Sequence, residues 1–348
     1  MIFQKLSGAH KELSEMTDHN RQKKYLFITA LLVVAAFVAS LHIGRFPISA
    51  WEVRAILTGG EVDPMTRAVL LNLRLPRTVM AVIAGAGLGL AGSVFQLVFK
   101  NPLAAPDIVG VSSGANLGAA VAVVLFGTSA ALMASTAFIG GMLVLLLVMT
   151  VAKLSRNTST VTYILAGIVM KAVSDAFIMM LKFFADPERE LAAIEYWAMG
   201  SLGAITASKL AVVIPFFLVG FLGLILMRRQ ITMLGLEDEE SMTLGVNLKF
   251  IRTAVLGLSA LTVASVISQT GLIAFVGLIA PHAARLAIKR ISFKWCILSS
   301  LTGALILLIS DSLARSITTV EIPISIPSTF IGVPILLYFM WSRKAGKV

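Results

Sequence analysis

Ten apolar stretches, separated by short polar segments, dominate the chain from residue 25 to residue 341. Each is about as long as a helix must be to cross a hydrocarbon core of roughly 30 Å. They lie near Tyr25 to Leu41, Val79 to Val98, Ile108 to Phe126, Ala130 to Ala152, Val161 to Phe184, Leu210 to Met227, Ala254 to Ile267, Leu272 to Ile288, Cys296 to Ser310 and Ile324 to Trp341. The pattern predicts an all-α polytopic membrane protein with ten transmembrane helices in one domain, residues 25–348, after a polar tail at residues 1–24.

The composition supports a membrane protein and disfavours several other classes. Hydrophobic residues make up 57% of the 348 residues and charged residues only 14%, which is too little polar surface to cover a soluble globule. The single cysteine, Cys296, excludes an internal disulfide, and the four histidines lack metal-site spacing. With no nucleophile and base pair either, we expect no catalytic residue, no bound metal and no cofactor on this chain.

The basic residues predict how the chain is oriented in the membrane. A net charge of +11 would suggest nucleic acid as the partner of a soluble protein, but 17 of the 29 Lys and Arg residues fall on one side of the ten-span pattern. Short cytoplasmic loops are enriched in Lys and Arg, so both termini are predicted to be cytoplasmic and no nucleic acid is expected. A cleaved signal peptide, formed by the basic tail and the first apolar stretch, is the alternative for the N-terminus.

Small residues within the second apolar stretch predict close packing between helices. Ala81, Gly85 and Gly89 are four residues apart, so they lie on one helix face where another helix can approach the backbone. The following segment, KNPLAAPDIVGVSSGANLG at residues 100–118, breaks the apolar pattern with prolines and glycines. Irregular backbone at membrane depth is tolerated only inside protein or beside a water-filled cavity, so this segment is either part of a solute path or a tight re-entrant turn.

Four groups of motifs carry a family resemblance. They are LRLPRTVMAVIAGAGLGLAGSVFQLVFKNPLAAPDIVGVSSGANLGA, EYWAMGSL, LGLEDEESMTLGVN, and the pair GLIAFVGLIAPHAARL and ISDSLARSITTVEIPISIPSTFIGVPILLYF. From about Leu73 to Trp341, in order and spacing, the chain resembles the iron-chelate and cobalamin permeases, the FecCD-type membrane subunits of ATP-binding-cassette (ABC) importers. The resemblance implies a multi-pass subunit of a bacterial or archaeal cytoplasmic (inner) membrane, surrounded by membrane lipid.

The resemblance also implies three kinds of protein partner. A second permease subunit, in a homodimer or heterodimer, would complete the translocation path, and an extracytoplasmic substrate-binding protein would dock outside. Two cytoplasmic ATPase subunits would hold ATP and magnesium, because this chain has no G-x-x-x-x-G-K-[ST] phosphate loop. The arginines that match the family's docking positions for the binding protein are Arg74, Arg77 and Arg315. Anchoring at the membrane interface is the alternative role for each of them.

The longest predicted cytoplasmic loop, residues 228–252, is the candidate coupling element. Its acidic run at a predicted helix start and its later glycine favour a short helix on the membrane face, and the resemblance implies that this helix contacts the ATPase. The candidate coupling residues are Leu234, Leu236, Glu237, Asp238, Glu239, Met242, Leu244, Gly245 and Val246. From the charge pattern alone, a solvated acidic loop is the alternative.

Two charged residues in the fifth apolar stretch depart from the usual family pattern of small or apolar residues. Lys171 and Asp175 are four residues apart and can pair on one helix face, and ionisable groups at this depth normally face protein or water. They either neutralise each other structurally or line an aqueous path. The predicted path comprises Asn101, Pro102, Ser112, Ser113, Gly114, Lys171 and Asp175.

The motifs do not specify the cargo, because permeases for ferric siderophores, haem and cobalamin share them. The resemblance favours a ferric siderophore. A proton-coupled secondary transporter that uses Lys171, Asp175 and Asp311 as a relay is the alternative from another class. His282, in the motif APHAAR, is expected to be a hydrogen-bonded structural residue.

Overall fold

The computed structural model describes residues 2–155, 160–236, 247–289 and 292–344, and within those ranges the side chains of residues 20–341. In this part of the chain all regular secondary structure is helical. The helices are α1 (Ile2–His42), α2 (Ala50–Leu57), α3 (Pro64–Val98), α4 (Val111–Phe126), α5 (Ala130–Leu154), α6 (Thr160–Phe184), α7 (Ala192–Met199), α8 (Ala207–Leu226), α9 (Arg228–Met233), α10 (Leu248–Thr270), α11 (Val276–Ala287), α12 (Phe293–Ala314) and α13 (Ser325–Lys344).

Seven helices of the described chain are long and apolar enough to cross a membrane. They are α1 over Asn20–His42, α3, α5, α6, α8, α10 and α12. The other three predicted stretches correspond to α4, α11 and the apolar part of α13, Ser325–Trp341, which are shorter. The prediction of an all-helical, multi-pass membrane protein is thus confirmed. By length and composition, seven of the ten predicted spans qualify as membrane-crossing helices.

Several predicted boundaries differ from the structure for local reasons. The eighth stretch was expected to be one helix from Leu272, but residues 271–275 are not helical, and the segment has positive φ at both ends, +69° at Gly271 and +67° at Phe275. At its end, the predicted loop 228–252 is already helical, because Asn247 caps the N-terminus of α10 by accepting a hydrogen bond from the amide of Phe250. At the N-terminus, α1 continues through the predicted polar tail.

Helix α3 forms the centre of the bundle. Of an 18-residue apolar segment of this helix, 78% of the residues are buried. Helices α10, α11 and α12 pack around it. Gly85 and Gly89 face α12 so closely that an added methyl group would collide with the carbonyl oxygens of Gly303 and Ser299. The small residues therefore allow the close helix contact that the sequence predicts.

The peripheral helices expose most of their apolar surface. In the corresponding 18-residue apolar segments, only 17% of the residues are buried in α1, 22% in α6 and 28% in α8. In a membrane, such surfaces face lipid or another subunit.

Replacing Gly85 by alanine is expected to destabilise the fold. The new methyl would meet backbone atoms of α12, which cannot move aside as the end of a flexible side chain could. Overpacking of this kind costs about 1–3 kcal/mol, so the midpoint of thermal unfolding in detergent should fall. The matched control is Gly257→Ala in α10, where the nearest heavy atom is the Met149 Cε at 4.0 Å and little change is expected. Equal losses in both variants would contradict the role of the α3 and α12 contact.

Candidate functional site

The polar segment after α3 forms a compact turn. The amide of Asn101 donates to the carbonyl oxygen of Gln96 at 3.2 Å, and the side-chain oxygen of Asn101 accepts from the amide of Leu103 at 2.9 Å. A 3-10 turn over Pro106–Val109 follows, and Gly110, with φ +77°, joins it to α4. A left-handed linking residue favours glycine, which accounts for Gly110, and both interpretations of the segment, a solute path and a re-entrant turn, stay predictions.

A second interruption lies between α10 and α11. The amide of Ala274 donates to the Ser325 Oγ at 3.1 Å, and the Ser328 hydroxyl donates to the Ala274 carbonyl at 3.1 Å. The Ser325 hydroxyl also donates to the carbonyl of Leu272 at 3.1 Å. These α13 side chains satisfy backbone groups that an apolar membrane interior could not satisfy.

The two interruptions line one cavity of about 500 Å³. On another wall of this cavity, the Lys171 Nζ lies 2.8 Å from the Asp175 Oδ2, and the two side chains are 50% and 44% exposed. Asp107 accepts a hydrogen bond from the hydroxyl of Ser112. Polar groups placed in a partly apolar concave site are the usual composition of a small-molecule site. We call this the path cavity.

Four of the seven predicted path residues meet in the path cavity. They are Ser112, Ser113, Lys171 and Asp175, and their role in transport stays a prediction. The other three lie outside its lining. Asn101 and Pro102 belong to the turn, and Gly114 packs against α5, where an added methyl would collide with the carbonyl oxygen of Gly140.

Sequence reasoning missed other residues that line the path cavity. They are, among others, Asp107, Asn116, Phe275 and Ser325. Asp107 could have been found, because it is an acidic residue inside an otherwise apolar motif. Phe275 carried no signal, since a left-handed backbone at an aromatic residue cannot be read from its type.

The predicted docking arginines are instead part of a buried charge cluster. The Arg77 Nε lies 2.7 Å from the Asp311 Oδ1, and Arg77 also pairs with Glu321. The Arg315 Nε lies 3.5 Å from the Asp311 Oδ2. We call Arg74, Arg77, Asp311, Arg315 and Glu321 the arginine cluster.

The arginine cluster joins α1, α3 and α12. Arg315 donates to the backbone carbonyl of Ser40, and Arg74 donates to the carbonyls of Leu41, at 2.9 Å, and His42, at 3.1 Å. Arg74, Arg77 and Arg315 are only 5%, 8% and 6% exposed. An exposed docking surface is therefore not what these three residues form, because their guanidinium groups point inward to neutralise Asp311 and to hold the end of α1.

Only two of the predicted coupling residues can be placed. Leu234 is 3% exposed and packs in the core, so it cannot supply the expected contact to a partner, whereas Leu236 is 42% exposed and accessible. Glu237, Asp238, Glu239, Met242, Leu244, Gly245 and Val246 lie outside the described residues.

His282 has the structural setting that was expected. It is 2% exposed, its Nδ1 lies 2.7 Å from the carbonyl oxygen of Leu278, and its ring meets the edge of Phe339. Within the described ranges, no three His, Cys, Asp or Glu side chains form a group that could hold a metal ion. That the chain binds no metal and no cofactor stays a prediction.

Comparisons with known proteins agree on one group of transporters. The profile of the FecCD transport family matches residues 31–342. The molybdate import system permease protein of Haemophilus influenzae is 35% identical over 328 residues, covering 93% of this chain and 97% of that protein. A probable iron chelatin transport system permease protein of Helicobacter pylori is 34% identical over 276 residues, covering 79% of this chain and 83% of its own. A solved structure of a metal-chelate type ABC transporter, in an inward-facing conformation, matches with a TM-score of 0.83 at 32% identity, over 92% of this chain and 99% of that one.

The arginine cluster predicts that Asp311 is needed for stability. In Asp311→Asn, two buried guanidinium groups lose their shared counter-charge, and breaking a buried pair in this way costs about 3–5 kcal/mol. Unfolding of the purified chain in detergent, by heat or denaturant, measures the loss. Glu195→Gln is the control, because it breaks the exposed pair with Lys182 and should cost less than about 1 kcal/mol. A similar small loss in both variants would rule out the anchoring role.

Proposed function

This chain belongs to the FecCD transport family and is the permease subunit of an ABC importer, and we propose that it carries an iron chelate, first a ferric siderophore, across the cytoplasmic membrane. The observation that carries the proposal is the path cavity. It brings two breaks in helical structure and an accessible ion pair together in a chain that a metal-chelate type transporter matches over 92% of its length.

The position of the ion pair suits a path for a polar solute. Lys171 is the twelfth of the 25 residues of α6, which places the pair near mid-membrane depth. Ionisable residues at that depth mark solute pathways when they face a cavity, as this pair does. Because Lys171 and Asp175 largely neutralise each other, the pair has little net charge and would not hold a charged chelate too tightly to release it. The Lys171 ammonium can still donate hydrogen bonds to chelate oxygens.

The second permease subunit would complete the path. The path cavity of one subunit has about 500 Å³, within the range of single small-molecule sites, whereas a bulky ferric siderophore needs walls on all sides. Helix α6 presents the pair on a largely exposed surface that a partner subunit could cover. Homodimer and heterodimer both suit this arrangement.

We further propose ten spans with both termini in the cytoplasm, two ATPase partners and an extracytoplasmic binding protein. The short helices α4, α11 and α13 would serve as the three remaining spans, since α4 and α11 follow the interrupted segments and α13 holds one of them in place. The basic residues support the orientation. Residues other than the buried arginines would contact the binding protein.

A proton relay is disfavoured as the mechanism. Asp311 lies between Arg77 and Arg315, and it does not line the path cavity that contains Lys171 and Asp175. The three residues of such a relay therefore do not share one cavity.

An oxyanion such as molybdate is the second candidate cargo. A molybdate permease is 35% identical to this chain over nearly the whole of both proteins. The ammonium of Lys171 would suit a small oxyanion as well as an anionic chelate.

Uptake by cells that lack their own importers tests the cargo. The chain is expressed with its cognate ATPase and binding protein, and cells are offered ferric siderophores, haem, ferric citrate, cobalamin or molybdate. We expect accumulation of a ferric chelate. Accumulation of molybdate alone would overturn the proposed cargo while leaving the permease assignment intact.

The same assay tests the path cavity. Lys171→Met with Asp175→Leu removes both charges together, so no unpaired charge remains, and the protein should stay folded. Uptake should fall roughly tenfold, because losing a charged hydrogen bond of about 1.5 kcal/mol changes a rate by that factor. Lys182→Gln with Glu195→Gln removes an exposed ion pair outside the path cavity and should leave uptake unchanged. Full uptake by the Lys171 and Asp175 double variant would exclude the path role.

Copurification tests the coupling segment. Leu244→Asp with Val246→Asp should leave the subunit in the membrane but abolish its association with the ATPase, because two charges would enter an apolar contact. A tagged permease, extracted in mild detergent, reports the retained ATPase on a gel. Normal retention, together with normal uptake, would refute the coupling assignment.

A further inference from the structure

A second cavity, of about 400 Å³, opens between α5 and α10. It shares no lining residue with the path cavity. Its lining includes Lys153, Lys249 and Thr253, together with the apolar side chains of Leu146, Met149 and Phe250. We call it the two-lysine cavity.

The described lining of the two-lysine cavity carries two positive charges and no negative charge. Both lysines are exposed, and in the part of the chain that the structure describes neither forms an ion pair. Lys153 lies in the last turn of α5, where a cation is favoured. Lys249 lies in the first turn of α10, where the helix dipole favours an anion instead. An anion between the lysines would satisfy both cations and the α10 N-terminus.

The rest of the lining of this cavity is largely apolar and exposed. Leu146 precedes Lys153 by seven residues, so the lining extends about 10 Å along α5 from the charged end into the membrane zone. Leu146 is 63% exposed and Phe250 is 68% exposed. A soluble anion would leave these side chains uncovered, whereas a lipid covers them with an acyl chain.

We propose that the two-lysine cavity binds an anionic phospholipid of the cytoplasmic leaflet. The phosphate lies between Lys153 and Lys249, with the Thr253 hydroxyl as a further donor, and an acyl chain lies against Leu146, Met149 and Phe250. Basic pockets between spans on the cytoplasmic side suit such headgroups. The inference depends on the proposed orientation and not on the cargo.

Thermal unfolding of the delipidated, full-length chain in detergent tests the proposal. Phosphatidylglycerol should raise the unfolding midpoint, and phosphatidylcholine should not. Lys153→Gln with Lys249→Gln should lose at least half of that shift, and Lys153→Arg with Lys249→Arg should keep it because the charges remain. The matched control is Arg228→Gln with Arg229→Gln, which removes two exposed charges outside the cavity and should keep the shift. Native mass spectrometry counts the retained lipid directly, so an unstable variant still gives a result.

Three outcomes would overturn the proposal. Inorganic phosphate that reproduces the shift would make the cavity a site for a soluble anion. Loss of the phosphatidylglycerol shift once the ATPase subunit is bound would assign the cavity to the interface with that partner. Equal lipid retention by the wild type and the glutamine double variant would show that the lysines do not hold the headgroup. Failure of the cargo experiment affects none of these readings.

Discussion

The structure depends on one constraint, that every backbone polar group at membrane depth must find its partner inside the protein. A regular helix meets this constraint with its own backbone hydrogen bonds. In the two non-helical segments, side chains substitute for those bonds. The side chain of Asn101 does so after α3, and Ser325 and Ser328 of α13 do so between α10 and α11. Both non-helical segments line the path cavity, so the interruptions of helical structure lie where a solute could pass.

The same apolar surroundings explain the arginine cluster. In water, Arg77 and Asp311 would contribute little as a pair, because solvent screens exposed charges. Buried beside α1 and α12, their mutual attraction is stronger, and each carbonyl bonded by Arg74 or Arg315 offsets part of the cost of removing the guanidinium from water. The cluster therefore fixes the relative positions of three helices at one end of the bundle.

Much of the fold was predictable from sequence, because apolar length and small-residue spacing report on helices and their contacts directly. That a helix packs closely on Gly85 and Gly89 follows from their four-residue spacing, whereas the identity of that helix, α12, comes from the structure. The pairing of Lys171 with Asp175 follows from the same helical period. Other features depend on three-dimensional context. Arg74, Arg77 and Arg315 point inward because Asp311 and the end of α1 lie beside them. No local sequence pattern shows that these groups are neighbours. The break at residues 271–275 is likewise satisfied by Ser325 and Ser328, about 50 residues further along the chain, and no local pattern shows that these serines lie beside it.

The two walls of the path cavity differ in how firmly they are held. Leu88 and Gly277 belong to helices packed in the bundle centre, where glycine contacts leave no free space between backbones. Lys171 and Asp175 belong to α6, a helix with most of its surface outside the bundle. Helix α6 is nevertheless tied to the first interruption, because Gly167 packs so closely on Ile108 that an added methyl would collide with its carbonyl oxygen. The width of the path cavity is therefore set by how α6 packs on that turn, one helical turn before Lys171.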